Sequence, residues 1–291
     1  MYGSIAANKR NTVLIMVVFV AIIAAIGYVV SLYFGNTSIA LWVIAGAAIY
    51  AFIQYYAATK LTIAMTGAKE IEKRDNPRLY RMVENLAITT GMPMPKVYII
   101  DDPAPNAFAT GRDPKHAIVA ATTGILELMD DSELEGVMAH ELGHVQNYDI
   151  RVSMMAFGLV SAIGLISDLV LHALFFSNSD NRNVPVYFYA IAIVIVILAP
   201  IMAAIIQMAI SRQREYLADG TGAMTTRNPE GLASALEKLQ QHGQPMKAQS
   251  SSTAHLFFSN PLKKGFLSGL FSTHPPLEER IARLRKNADK F

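Results

Sequence analysis

Between Arg10 and Lys60 the chain carries no charged residue. A solvated domain cannot clothe a segment of that length without charge, so this stretch belongs in lipid or in a large core. It contains two apolar runs, about Thr12–Phe34 and Ala40–Ala58, parted by the polar turn Gly35-Asn36-Thr37-Ser38. Each run is close to the roughly 20 residues that cross a hydrocarbon core. A cleaved signal peptide has a shorter apolar core, roughly 7–15 residues, and no second span directly behind it. A second pair follows. Val152–Phe176 is apolar apart from Asp168 and His172, Tyr187–Ser211 is uncharged, and the short polar link Ser177–Val186 joins them. The spacing predicts four membrane spans, with a buried core helix as the other reading of Val152–Phe176.

Basic residues set the orientation, because Lys and Arg accumulate on the cytoplasmic side. Lys9 and Arg10 precede the first span, and Lys60, Lys69, Lys73 and Arg74 follow the second. Arg151 precedes the third, Arg212 and Arg214 follow the fourth, and the two hairpin turns hold only Arg182. Both termini and both polar regions are therefore expected in the cytoplasm, with the chain in the inner or plasma membrane. The expected organisation is a membrane hairpin at 1–59, the first part of a soluble domain at 60–151, a second hairpin at 152–211 and the rest of the soluble domain at 212–291.

Composition narrows the chemistry. Hydrophobic residues make up 52% of the chain and charged residues 16%, which agrees with partial burial in a bilayer. A net charge of +2, with no basic stripe among aromatics, gives no footprint for nucleic acid. There is no cysteine, so disulfides, thiolate metal sites and thiol nucleophiles are excluded. Any metal must be held by histidines and carboxylates.

In the polar regions, Asn76-Pro77 starts a helix with Leu79, Met82, Val83 and Leu86 on one face and Gly91 as its stop. Asn228-Pro229 starts another that ends near Gly243, and Pro276 opens a last one bearing Leu277, Ile281 and Leu284. Strands are expected at Lys96–Ile100 and His116–Ala121, where β-branched residues cluster. Asp101–Gly111 reads as a loop or irregular edge, and Gly243–Thr273 as a mobile loop.

The central motif is His140-Glu141-Leu142-Gly143-His144. Ser132 and Glu135 have capping-box spacing, and Leu134, Val137 and Met138 supply an apolar face, so the motif is expected on a helix. Histidines four apart share one helical face, and both imidazoles can grip one zinc ion at about 2.0–2.1 Å. Glu141, beside the first ligand, stands where a general base for the attacking water is needed. Catalytic zinc takes a third protein ligand. Glu215 and Asp219, four apart after the fourth run, offer a ligand carboxylate with a second carboxylate able to accept a ring N–H. Taken alone, that pair reads more readily as a surface pair on a charged helix end.

The motifs together resemble the HtpX-type membrane zinc metalloproteases, relatives of the CAAX prenyl endopeptidases. The resemblance runs along nearly the whole chain. It includes the hairpin before the histidine motif, the hairpin before Glu215 and Asp219, the segment Asn106-Ala107-Phe108-Ala109-Thr110-Gly111, and His274-Pro275-Pro276 with Arg280. It implies a mainly α protein, a four-span helical membrane protein with a cytoplasmic α+β zincin-like (gluzincin) protease domain. It implies one Zn2+ per chain on His140, His144 and Glu215, with Glu141 as base and Asp219 behind the ligands. It also implies quality control of membrane proteins under stress, with misfolded or unfolded polypeptides as substrates.

On that resemblance, Asn106, Ala107 and Phe108 lie on an edge strand that pairs with an extended substrate backbone; without it the segment is a Pro-rich turn. His274 either binds the developing oxyanion or only neighbours a helix cap. Arg280 either does the same, binds a substrate carboxylate, or pairs with Glu278 or Asp219. Asp168 and His172 either form an intramembrane site or pair with each other. The rival functions are a metal-binding membrane scaffold without activity, against which Glu141 argues, and a transporter, against which the unbroken spans argue. A prenyl endopeptidase is the third, and four spans are fewer than its usual number.

Overall fold

In the computed structural model the described residues are 2–156, 158–159, 193–194, 212–247, 256–259 and 275–291. The expected third and fourth spans fall almost wholly outside them, as do Asp168, His172 and His274. The chain forms two compact units, one of Met1–Lys9, Thr59–Met154 and Ile210–Phe291, the other of Arg10–Ala58 and Met155–Ala209.

α1 (Tyr2–Phe34) and α2 (Ser38–Thr66) form an α-helical hairpin, of which Arg10–Ala58 lies in the second unit and the two outer ends in the first. Gly35 takes a left-handed φ of 62° at the turn, and the Asn36 side chain accepts from the Ser38 N–H at 3.0 Å. Gly27 lets the helices approach, since a Cβ there would lie 2.7 Å from Val43 Cγ1. Tyr50 donates to the Gly158 carbonyl at 2.9 Å, fastening a third helical stretch to α2. Val13, Leu14, Val17, Leu41, Trp42, Ile49 and Phe52 stay exposed, so their free energy depends on a solvent other than water. Ile5–Ala25 and Ala40–Thr66 are long and apolar enough to cross a membrane. At 1.5 Å per residue the helices extend about 50 Å and about 43 Å, beyond a hydrocarbon core of about 30 Å. α2 therefore runs on past Lys60 to Thr66.

The first unit contains β1 (Lys69–Glu70), α3 (Pro77–Thr90), β2 (Lys96–Ile100), β3 (Ala107–Thr110), β4 (Ile118–Thr122), α4 (Thr123–Leu128), α5 (Asp131–Gln146), α6 (Arg212–Thr226), α7 (Pro229–His242) and α8 (Leu277–Lys286). The sheet order is β1-β2-β4-β3, with β2 and β4 parallel and the other pairs antiparallel. α3 starts where the sequence places it. Asn76 accepts from the Leu79 N–H, Pro77 occupies the first turn, and Gly91 closes the helix at φ 65°. Asn228 caps α7 in the same way.

Three local expectations are corrected. α5 is capped by Asp130, whose carboxylate accepts from Glu133 N–H while the Glu133 carboxylate accepts from Asp130 N–H. Ser132 lies inside the first turn, and its hydroxyl accepts from Asn228 Nδ2 instead. The second strand begins at Ile118, because Pro114–His116 forms a 3-10 turn capped by Asp113. Within Gly243–Thr273, the described residues Leu256–Phe258 are buried, and Phe257 forms an antiparallel bridge with Phe108.

The core gathers around α5. Leu134, Val137, Met138 and Leu142 pack with Leu79 and Val83 of α3, Leu232 and Leu236 of α7, and Ile281 and Leu284 of α8. Two glycines set how closely the helices approach. A Cβ at Gly136 would lie 2.7 Å from Leu232 N, and one at Gly222 would lie 2.9 Å from His140 N. α6 therefore rides directly on the stretch of α5 that carries the histidines.

Candidate metal centre

α5 presents His140 and His144 one turn apart, and α6 brings Glu215 and Asp219 against them. One donor atom each from His140, His144 and Glu215 lies within 4.8 Å of the others. The two Nε2 atoms are 3.1 Å apart. Glu215 Oε1 is 3.5 Å from His144 Nε2, and its Oε2 is 3.8 Å from His140 Nε2.

A carboxylate stands behind each ring. His140 Nδ1 lies 2.9 Å from Asp219 Oδ1, and His144 Nδ1 lies 3.0 Å from Asp149 Oδ2. Each Nδ1 is then assigned as the N–H donor to its carboxylate, which leaves both Nε2 lone pairs facing inward. Three electron-rich atoms this close repel one another unless a cation lies between them. Tetrahedral zinc, with ligands at about 2.0–2.2 Å, holds its ligand atoms about 3.4 Å apart, so the residues present fit that ion.

The protonation pattern points the same way. Burial pushes the His140 pKa down to about 4, against its Asp219 bond and with help from the Arg280 and His144 charges. Burial also acts to lower His144, but the Asp149 bond and the charges of Glu215, Asp149 and Glu141 outweigh it and raise the pKa to about 9.

Glu141 is 2% exposed and lies between the two histidines in sequence. Its charge acts on both His144 and Arg280. Arg280 is fully buried. It donates to Asp219 through Nε at 2.9 Å and Nη2 at 2.6 Å, and its Nη1 is 3.5 Å from Glu215 Oε2. Of the roles the sequence left open for Arg280, pairing with Asp219 is the one found here. Burial alone would raise the Asp219 pKa, but the Arg280 charge and the bonds from His140 and Arg280 hold it below the ordinary value.

The sequence reading missed Asp149. A continuous helix would turn that position away from His144. Instead α5 ends at Gln146, and Tyr148 adopts a φ of 62°, which folds Asp149 back onto the His144 ring. The turn is held by Lys9 and Arg151, 4.6 Å and 5.0 Å from the Tyr148 ring centroid. Asn8 of α1 donates to Asp149 Oδ1 at 2.6 Å and to the Asn147 carbonyl at 2.8 Å. The sequence offered one clue, an acidic residue five positions after His144 beyond an Asn that ends helices readily.

Asn106 directly precedes β3, and Ala107 and Phe108 open that strand at the edge of the sheet beside α5. Phe258, also missed, connects that edge to the metal residues. Its N–H donates to the Ala107 carbonyl at 2.8 Å, and its ring stands edge-on to His140 at 4.9 Å.

Residues 73–288 match Peptidase family M48. The chain belongs to that peptidase family. Several relatives of this M48 chain carry the name "Protease HtpX homolog". One from Tropheryma whipplei (strain TW08/27) is 57% identical over 291 residues, which is 100% of both chains. Another, from Lactobacillus helveticus (strain DPC 4571), is 45% identical and covers 98% of this chain and 99% of its own. A third, from Dictyoglomus thermophilum, is 42% identical over 100% of this chain and 96% of its own. A crystal structure of S. mikatae Ste24p aligns at a TM-score of 0.48 and 19% identity, over 98% of this chain and 67% of that one. This M48 chain is a membrane metalloprotease, and His140, His144 and Glu215 stand close enough together to hold a metal ion.

Proposed function

We propose that the chain is a zinc endopeptidase whose site faces the cytoplasm and cuts misfolded or damaged membrane proteins. One observation carries the chemistry. Three ligand atoms converge, and each histidine among them is held from behind by its own carboxylate. A two-histidine, one-glutamate set suits zinc but holds other divalent ions too, so the choice of zinc rests on these ligand types together with the family resemblance.

Bound there, zinc supplies Lewis acidity, polarising the scissile carbonyl and easing proton loss from water. Glu141 accepts that proton from the attacking water and delivers it to the leaving amine. Asp219 and Asp149 keep the imidazoles in the tautomer and orientation that direct Nε2 inward. Arg280 offsets the charge of Asp219, with both side chains buried. Asn106, Ala107 and Phe108 pair with the substrate main chain, which gives cleavage a weak sequence preference. His274 donates to the developing oxyanion.

The substrate assignment rests on sequence distance. Glu215 follows the fourth apolar run by a few residues, and His144 precedes the third by about eight. A site so placed lies near the bilayer surface, where proteolytic quality control of membrane proteins is needed. Four spans, with both termini cytoplasmic, complete this reading.

Casein and a panel of detergent-solubilised proteins test it. Purified protein loses activity on chelation and regains it with zinc. It cuts unfolded membrane proteins faster than soluble ones of equal disorder. Activity indifferent to chelation contradicts the zinc assignment, and equal rates contradict the substrate class.

A further inference from the structure

The outer edge of β3, where substrate backbone is expected to pair, is already covered by the chain itself. Leu256–Ser259 runs antiparallel to it, with Phe257 bridged to Phe108 and the Phe258 N–H on the Ala107 carbonyl at 2.8 Å. The Asn106 side chain then reads both main-chain groups of Ser259. Its Oδ1 accepts from the Ser259 N–H at 3.0 Å, and its Nδ2 donates to the Ser259 carbonyl at 2.7 Å.

Asn106 is itself held firmly. It is 2% exposed, its backbone N–H donates to Thr122 Oγ1 at 2.9 Å, and its carbonyl accepts from the Thr122 N–H at 2.9 Å. A buried amide that satisfies both main-chain groups of one residue is a device for recognising extended backbone of any sequence. Here that backbone is the chain's own.

The side chains continue the mimicry. Phe257 is packed edge-on to Phe108 at 5.1 Å, and Phe258 lies against His140 at 4.9 Å and the Arg280 guanidinium at 5.0 Å. The segment therefore ties the edge strand to a proposed metal ligand, as a bound peptide would.

We infer that Leu256–Ser259 is a built-in pseudo-substrate, which holds the backbone-binding edge of β3 and the Asn106 amide until an extended polypeptide displaces it. The inference rests on the proposed protease reading, in which that edge binds substrate. It also defines the incoming segment. Two successive large apolar residues, followed by a small polar one, match the places of Phe257, Phe258 and Ser259. Apolar sequence of that kind is what a misfolded membrane protein exposes.

A site free only part of the time shows an apparent affinity reduced by the free fraction. Phe257→Ala removes the ring packed on Phe108, and Ser259→Pro removes the donor to Asn106. Both leave Glu141, the three proposed metal ligands and the Phe258 ring against His140 in place. If the edge is free in about a tenth of molecules, KM for a fluorogenic peptide falls about tenfold in each variant, while kcat stays near wild type. Hydrogen exchange of Glu141→Gln protein, with the same peptide bound, provides a second readout. The Phe258 and Ser259 amides lose protection when peptide binds.

Unchanged or raised KM in well-folded variants, or full protection with peptide bound, overturns the inference and leaves the protease reading intact. Variants that lose thermal stability are decided by the exchange experiment alone, which uses neither substitution. No peptide cleavage by wild type or either variant overturns the protease reading and this inference with it.

Discussion

Arg280 grips Asp219 with two hydrogen bonds, at 2.9 Å from Nε and 2.6 Å from Nη2, in a place where no surface of the arginine reaches solvent. Asp219 in turn holds His140 by Nδ1 at 2.9 Å. A hydrogen-bonded chain of three residues thus runs from α8 through α6 to His140 on α5.

Removing the arginine takes away the guanidinium that offsets the buried Asp219. Breaking one side of a buried pair costs about 3–5 kcal/mol. Arg280→Ala is expected to lower stability by that amount in thermal unfolding of the detergent-purified chain. Arg280→Lys recovers little, because one ammonium cannot reproduce the fork. A loss below about 1 kcal/mol for Arg280→Ala would show that the pair is dispensable.

Asp149 holds His144 as Asp219 holds His140. Removing an outer partner of a ligand histidine usually costs about 10–100-fold in metal affinity. Asp149→Ala should weaken zinc binding within that range, measured by competition with a chromophoric chelator. Asp149→Asn keeps an acceptor oxygen and should lose less. Equal affinity in wild type and Asp149→Ala would remove Asp149 from the site.

Metal and proton compete at His144. Its pKa in the metal-free protein is raised to about 9 against an ordinary 6.5. Zinc binding near pH 7.5 should therefore release about one proton per ion from this residue. Calorimetry in buffers of different ionisation enthalpy gives that count directly, and a count near zero contradicts the assignment. The linkage to stability has a definite sign. A group with a raised folded-state pKa stabilises fully below its unfolded value and loses that contribution as pH rises through the folded value. The metal-free chain should lose stability between about pH 6.5 and 9 on this account.

Much of the site was legible from spacing. His140 and His144 share a helical face by their four-residue separation, and the apolar pattern around them fixes that face toward the core. The capping box was read two residues late, because Ser132–Glu135 and Asp130–Glu133 satisfy the same spacing rule and only packing against Asn228 separates them. Asp149 was invisible because its approach depends on one left-handed residue, Tyr148, which no propensity favours. Phe257 and Phe258 were lost within a Ser- and Gly-rich stretch, where composition outweighed two aromatics that a sheet edge could bury. Arg280 was found, but its place was open, since a buried ion pair and a substrate contact draw on the same residue type.

The most direct test is Glu141→Gln beside wild type, scored for zinc content and peptide cleavage in one preparation. The account predicts about one zinc per chain in both proteins and a rate about 10²–10⁴-fold lower in the variant, the usual size of general-base catalysis. Wild-type cleavage by the variant, with contaminating proteases excluded, would contradict the claim that Glu141 is the base of a working protease site.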